Sequence, residues 1–278
     1  MRMSQEQLDF YETNGYVFLP GWFSEEEVAV LKGELPAAFS EDTPRRVVEK
    51  GGGVVRSVYG SHMFNEVYGR LSRHPRLVEP AMQILDSEVY VYQFKINAKS
   101  SFGGDVWQWH QDYVFWMKED GLPAARVLSA VVFLDEVSEF NGPMYLIPGS
   151  HKAGVIDARP KTHSNGNGRA EPYKHSPAWI SNLTADLKYA LDTEVVAGLV
   201  SGNGIVAPKG PGGSLLIFHG NLVHGSPNNI SPFGRTLVLI SYNSVENLPR
   251  SVESPRPDFL VSRDYSPIVP LAEDTLFF

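Results

Sequence analysis

From Val89 onward the chain changes rhythm, and that change narrows its fold more than any other feature. Val89-Tyr90-Val91-Tyr92-Gln93-Phe94-Lys95-Ile96-Asn97 reads as a strand. So do the stretch around His110, Leu128 to Leu134, Met144 to Ile147, Ser214 to Phe218 and Thr236 to Tyr242. Short runs of β-branched and aromatic residues set between turn residues are strand signals. Asn141-Gly142 between two of them predicts a hairpin. The front of the chain reads differently. Ser4 with Gln7 makes a capping box for a helix over Gln5 to Asn14, stopped by Gly15. After the short β-prone run Tyr16 to Pro20, Ser24 with Glu27 opens a second helix, amphipathic through Val28, Val30, Leu31 and Leu35. Gly51-Gly52-Gly53 predicts a loop before the extended run Val54 to Tyr59, and residues 62–86 read as helical with a break at Pro75.

A helical front followed by many short strands predicts a mainly β chain with flanking helices. The expected core is a double-stranded β-helix, jelly-roll or cupin-like, under an N-terminal helical cap. The expected organisation is one domain over 1–278, with a helical part over about 1–86 and a core over about 89–250. A stretch rich in Gly, Asn, Pro, His and Lys over about 154–182 breaks the pattern and is expected to be a lid-like insertion.

Composition removes several classes of function. A formal charge of −8 argues against a nucleic-acid partner. With no cysteine there is no thiolate metal site and no disulfide. No apolar run is long enough to cross a bilayer, and Met1 to Asn14 is too polar for a signal peptide, so a cytoplasmic protein is expected. The partner expected is a small-molecule substrate, with a homodimer as the assembly left open.

The chemistry concentrates in Trp107-Gln108-Trp109-His110-Gln111-Asp112. Residues i and i+2 of a strand share a face, so His110 and Asp112 are expected side by side on one strand. That pair is two-thirds of the 2-His-1-carboxylate set that holds non-haem Fe(II) and leaves positions open. The third ligand should be a histidine returned from far along the chain. His219 and His224 both follow the strand Ser214 to Phe218. His224 is preferred, because Arg235 comes shortly after it at the head of a strand. An arginine entering the barrel there can hold a dicarboxylate end-on through two parallel charged hydrogen bonds. 2-Oxoglutarate is such a ligand: its keto-acid end chelates iron beside O₂, and Arg235 with the Ser226 hydroxyl suits its far carboxylate. His62, His74, His151, His163 and His175 read as surface or hydrogen-bonded histidines. Two other classes compete with an oxygenase: a non-catalytic jelly-roll small-molecule binding protein, and a metal-dependent hydrolase or isomerase. The first leaves the joint presence of Arg235 and the His/Asp pair unexplained.

These motifs resemble those of the phytanoyl-CoA dioxygenase superfamily of Fe(II)/2-oxoglutarate enzymes, and within it those of the ectoine hydroxylases. The run Trp109 to Ser129 is similar to the pattern Trp-His-Ser-Asp-Phe-Glu-Thr-Trp-His-x-Glu-Asp-Gly-Met-Pro. Asn141-Gly142-Pro143 through Lys152, His224-Gly225-Ser226, Ser231 to Arg235, Tyr242 to Asn247 and Pro255-Arg256-Pro257 match as well. The resemblance implies that His110, Asp112 and His224 bind iron and that Arg235 and Ser226 hold 2-oxoglutarate, with Asn97 and Ser129 nearby. It puts Gln93 and Trp116 where co-substrate and substrate are contacted. The chain departs from the ectoine pattern at Val114-Phe115, which replace Glu-Thr, and at Met117, which replaces His. Leu239 stands where a ring often lines the ectoine pocket, and Trp107 replaces Phe. With Val114, Phe115, Trp116 and Leu239 about it, the substrate site is expected to be more apolar than one built for ectoine. The expected reaction is hydroxylation of an unactivated C–H bond in a small amino-acid-derived molecule, with release of succinate and CO₂. The alternative substrates are a more hydrophobic or N-substituted amino acid, or a natural-product intermediate.

Overall fold

The computed structural model describes residues 2–49, 52–156, 179, 183 and 187–277. Of the expected lid-like insertion only residues 154–156 and 179 fall among them, and the remainder of that expectation, with His163 and His175, lies outside the described residues.

Both capping boxes form. The Ser4 hydroxyl accepts from the Gln7 N–H, and the Gln7 side chain accepts from the Ser4 N–H, at the start of α1 (Gln5–Asn14). Gly15 ends α1 at φ 77°, in the left-handed region that glycine enters without strain, and turns the chain into β1 (Tyr16–Leu19). Ser24 and Glu27 repeat the box at α2 (Glu25–Gly33), followed by α3 (Leu35–Ser40). The front then yields two strands, β2 (Arg46–Val48) and β3 (Val55–Tyr59), before α4 (Glu66–Leu71) and α5 (Pro75–Leu85). Pro75 does not break a helix. It stands at the first turn of α5, where its missing N–H has no partner to lose. The break falls at 72–74, and a second proline, Pro80, lies inside α5.

The remaining elements are β4 (Val89–Lys99), β5 (Trp107–His110), α6 (Asp112–Asp120), β6 (Val127–Phe133), β7 (Tyr145–Leu146), α7 (Thr193–Asn203), β8 (Leu215–His219), β9 (His224–Ser226) and β10 (Arg235–Ser244). They form two sheets in which every pairing is antiparallel. The larger has the order β1-β8-β6-β10-β4-β3-β2 and the smaller β5-β9-β7. The jelly-roll expectation holds as two stacked sheets rather than a closed barrel, and the front gives three strands to the larger sheet: β1 and β3 in the two extended runs expected there, and β2, which was not expected.

The Asn141-Gly142 hairpin does not form. β6 and β7, which it would join, belong to different sheets. Asn141 instead closes a loop on itself, donating to Glu136 O and accepting from the Ser138 N–H, while Gly142 at φ 78° lets the chain cross between sheets.

Strand alternation sorts the core into layers. Phe94 and Ile96 of β4, Leu128, Ala130 and Val132 of β6, and Val238 and Ile240 of β10 pack outward against Val28 and Leu31 of α2 and Leu77, Val78 and Ala81 of α5. The opposite residues, Val131, Phe133, Leu237 and Leu239, face the smaller sheet through Met144 and Leu146. A bulge in the β4–β10 pairing near Gln93 interrupts the alternation, so Val89 and Val91 also face outward. Inward then point the polar residues Lys95, Asn97 and Lys99, opposite Leu239, Leu237 and Arg235 of β10. A polar row on the inner face of a buried sheet is what a ligand site requires.

His74 caps α5: its Nδ1 accepts from the Arg76 N–H and its Nε2 donates to Glu273 O. Burial first, then the Arg76 charge, push its pKa down from 6.5 to about 4. Burial holds His62 and His219 near 4 as well. The fold thus refuses protons that the unfolded chain takes up below pH 6.5, so stability is full above that pH and falls as pH drops towards 4. Thermal melts across this window should show the loss, and His74→Asn, which keeps a capping acceptor, should flatten part of the slope. An unchanged slope would clear His74 of that role.

Candidate active site

β5 and β9 pair antiparallel with His110 opposite His224. This register brings together the two imidazoles, whose ring centres lie 4.2 Å apart. His110 ends β5, and its Nδ1 donates to Gln108 O at 2.6 Å; His224 opens β9, and its Nδ1 donates to Leu222 O at 2.9 Å. A backbone acceptor on Nδ1 fixes the tautomer and leaves Nε2 bare for a metal.

Asp112 is not on the strand. It is the first residue of α6, where a carboxylate also meets the positive end of the helix dipole. Its Oδ1 lies 3.6 Å from His110 Nε2 and its Oδ2 3.8 Å from His224 Nε2. All three residues are buried, and their ligand atoms lie within 4.8 Å of one another. Asp112 Oδ2 is buried without a hydrogen-bond partner, which leaves it available to a cation. Burial opposes ionisation of Asp112, but Lys95, His224 and His110 outweigh it and hold the carboxyl well below the usual range. Burial, with His110 beside it, pushes His224 down to about 3, so it is neutral and able to ligate at neutral pH. Two nitrogens and one carboxylate oxygen suit Fe(II). His219 is elsewhere: its ring lies 5.3 Å from that of His151, and its Nδ1 accepts from the Asn221 N–H.

The cavity beside the triad is lined by Asn97, Trp107, Ser226, Arg235, Leu239 and Lys95, among others. Arg235 is 2% exposed, and its Nε and Nη2 both donate to Gly142 O. Ser226 Oγ is buried without a partner. Asn97 accepts from Ser57 Oγ at 2.8 Å. Lys99, opposite Arg235, donates to Asp105 O at 2.6 Å, and burial with Arg235 and Arg56 nearby pushes its pKa down to about 7. Gln93 and Ser129 stand outside this lining. Gln93 donates to Leu260 O, and Ser129 Oγ meets Ser241 Oγ at 3.1 Å. Phe115 sets its edge against His110 and Tyr189, Trp116 packs on Tyr92, and Val114 is buried in the same cluster.

Sequence reasoning missed Lys95, 9% exposed, with Nζ 4.0 Å from Asp112 Oδ1. A lysine in a strand ordinarily reads as solvated. The signal was the alternation of Gln93, Lys95, Asn97 and Lys99 on one face. Arg56 was missed too. It is buried, paired with Glu49 and stacked 3.9 Å over the Trp107 ring, so it braces the strand that carries His110.

Residues 11–237 match the phytanoyl-CoA dioxygenase family model. The chain belongs to the phytanoyl-CoA dioxygenase family. It is 39% identical over 268 residues to the L-proline trans-4-hydroxylase of Streptomyces griseoviridis, covering 96% of this chain and 95% of that one. It is 36% identical over 271 residues to the ectoine dioxygenase of Bordetella bronchiseptica, covering 94% and 83%. The crystal structure of EctD from S. alaskensis with 2-oxoglutarate and 5-hydroxyectoine superposes with a TM-score of 0.78 at 32% identity, covering 94% and 84%. The same enzyme with bound Fe gives 0.76. Family, relatives and the His-Asp-His cluster agree on an enzyme of the non-haem iron, 2-oxoglutarate-dependent dioxygenase class.

α6 is anchored at its far end by Asp120. Arg256 donates to both of its oxygens at 2.7 and 2.6 Å, and the Tyr92 hydroxyl donates at 2.5 Å. Asp120→Ala strands a buried guanidinium and should cost about 3–5 kcal/mol in urea unfolding. A loss under about 1 kcal/mol, the size of an exposed pair, would contradict that role.

Proposed function

We propose that this enzyme hydroxylates an unactivated C–H bond of a small free amino acid, with L-proline the first candidate. The balance is substrate C–H, 2-oxoglutarate and O₂ giving C–OH, succinate and CO₂. His110, Asp112 and His224 would hold the Fe(II), which supplies the oxygen chemistry when bound. The observation that carries this reading is the convergence of those three ligand atoms beside a cavity that His110, His224 and Arg235 line together.

The chain's own groups divide the remaining work. Arg235, with the partnerless Ser226 hydroxyl, takes the far carboxylate of 2-oxoglutarate. Asn97 and Lys99 border the same end. Lys95 is left facing the cavity once Asp112 has a metal to neutralise, and it suits the carboxylate of an amino-acid substrate. Leu239, Leu237 and Met144 keep that space apolar, with Val114, Phe115 and Trp116 packed behind His110 and Gln93 and Ser129 along the sheet. An apolar wall with a cation near the metal fits a small ring bearing one carboxylate. The near-complete overlap in length with a proline hydroxylase supports proline ahead of ectoine. Ectoine is the second reading, favoured by the EctD likeness, and a more hydrophobic or N-substituted amino acid or a natural-product intermediate is the third. We further propose that the enzyme works in the cytoplasm, beside the supply of 2-oxoglutarate, and as a homodimer. The exposed side chains of Phe140, Ile230 and Phe233 around one surface groove support the dimer, which sedimentation velocity tests.

Purified enzyme with Fe(II), ascorbate and 2-oxoglutarate should add one oxygen to L-proline about tenfold faster than to ectoine, a gap of about 1.4 kcal/mol in transition-state binding, read by mass spectrometry. Product from ectoine alone would overturn the substrate assignment. His110→Ala should lose metal and turnover together. Arg235→Ala should keep metal and raise the 2-oxoglutarate half-saturation about tenfold or more. An unchanged co-substrate requirement would remove Arg235 from that role.

A further inference from the structure

We propose that Gln111 is a positioning residue: its buried amide sets the spacing of His110, Asp112 and His224 by tying their turn to two stretches of backbone behind them. The inference rests on reading that triad as the metal site.

Gln111 is fully buried between its two neighbours in the triad. It is the N-cap of α6, a position whose side chain ordinarily accepts from an N–H of the first turn. No such bond is made. The side chain goes elsewhere. Nε2 donates to Asn221 O at 2.7 Å and to Gly154 O at 2.8 Å, and Oε1 accepts from the Ile156 N–H at 2.9 Å. Asn221 begins the turn into His224, and the His224 ring leans on Leu222 O one residue later. Holding Asn221 therefore holds the peptide run that aims the His224 ring. The stretch on the other side is joined to the same run a second time, because Ser150 Oγ accepts from the Val223 N–H at 2.9 Å. The β5–β9 pairing sets the two histidines across from each other, and Gln111 fixes the carboxylate-bearing turn against both.

An uncharged amide donates twice and accepts at once, which is what these three backbone groups need. Glutamate at this position would turn a carboxylate onto two carbonyl oxygens. Leucine would take the side-chain partner from all three backbone groups, of which the Asn221 carbonyl is bonded in a buried position where an unpaired polar group is costly. Either change loosens the triad without touching a ligand atom.

Wild type, Gln111→Leu and Gln111→Glu are titrated with Fe(II) under argon by calorimetry, melted, and assayed for succinate and hydroxylated product. Groups that orient metal ligands typically govern metal affinity by about 10–100-fold. Both variants should bind Fe(II) about tenfold or more weakly and release more succinate per hydroxylated product while still melting cooperatively. Variants that melt lower but bind Fe(II) like the wild type would make Gln111 a packing residue and overturn the proposal. If Gln111→Leu does not fold, Gln111→Ser, which leaves room for water, carries the same measurement. Wild type that binds no Fe(II) would sink the triad reading itself, a different result from unchanged variants.

Discussion

The pairing of β5 with β9 is the constraint on which the site depends. It is a short ladder in a three-stranded sheet, yet it alone sets His110 opposite His224 from distant parts of the chain. Strand side chains alternate, so a one-residue slip would turn one imidazole away from the other and dismantle the cluster. The larger sheet serves this register. It supplies a rigid wall of apolar residues outward and a polar row inward, with the smaller sheet stacked over it. The braces fall on the segments that carry the cluster: Arg56 on Trp107, Asp120 with Arg256 on α6, and Gln111 on the turn between.

Charge gives the site its second character. Lys95, Lys99 and Arg235 line up on the inner faces of β4 and β10, all at most 9% exposed. Cations are costly to bury without counter-charges, and Asp112, the acid nearest Lys95, is itself a metal-ligand candidate. Burial and crowding already hold Lys99 near 7 and push Arg235 down to about 9. An arrangement of this kind is completed by anions, and 2-oxoglutarate with an amino-acid carboxylate would supply them. The same wall explains why ligand and walls are chemically separate: the polar row alternates with the outward-packed core, so neither face has to compromise.

Much of this was legible in the sequence where the physics is local. Ser4/Gln7 and Ser24/Glu27 cap helices through contacts three residues apart, and both boxes formed as read. The long strands β4, β6 and β10 announced themselves as runs of β-branched and aromatic residues set between turn residues. The gathering of His110, Asp112 and His224 was legible because the residue types that suit such a cluster are few and an arginine follows on the next strand. What failed was decided by tertiary context. Asp112 begins a helix instead of continuing a strand, yet still meets His110, so the right contact came from the wrong geometry. Asn141-Gly142 has hairpin chemistry, but its flanking strands are claimed by different sheets. β2 and β9 are too short to show periodicity. Lys95 and Gln111 look like surface residues until the fold buries them.

The central claim is that His110, Asp112 and His224 form an iron site that spends O₂ on 2-oxoglutarate and an amino acid together. Isotopically heavy O₂ tests it most directly. With Fe(II), 2-oxoglutarate and L-proline, one heavy oxygen atom should appear in succinate and the other in the new hydroxyl group, and Asp112→Ala should abolish both. Product whose new oxygen comes from water while succinate stays unlabelled, or labelling that survives loss of Asp112, would contradict it.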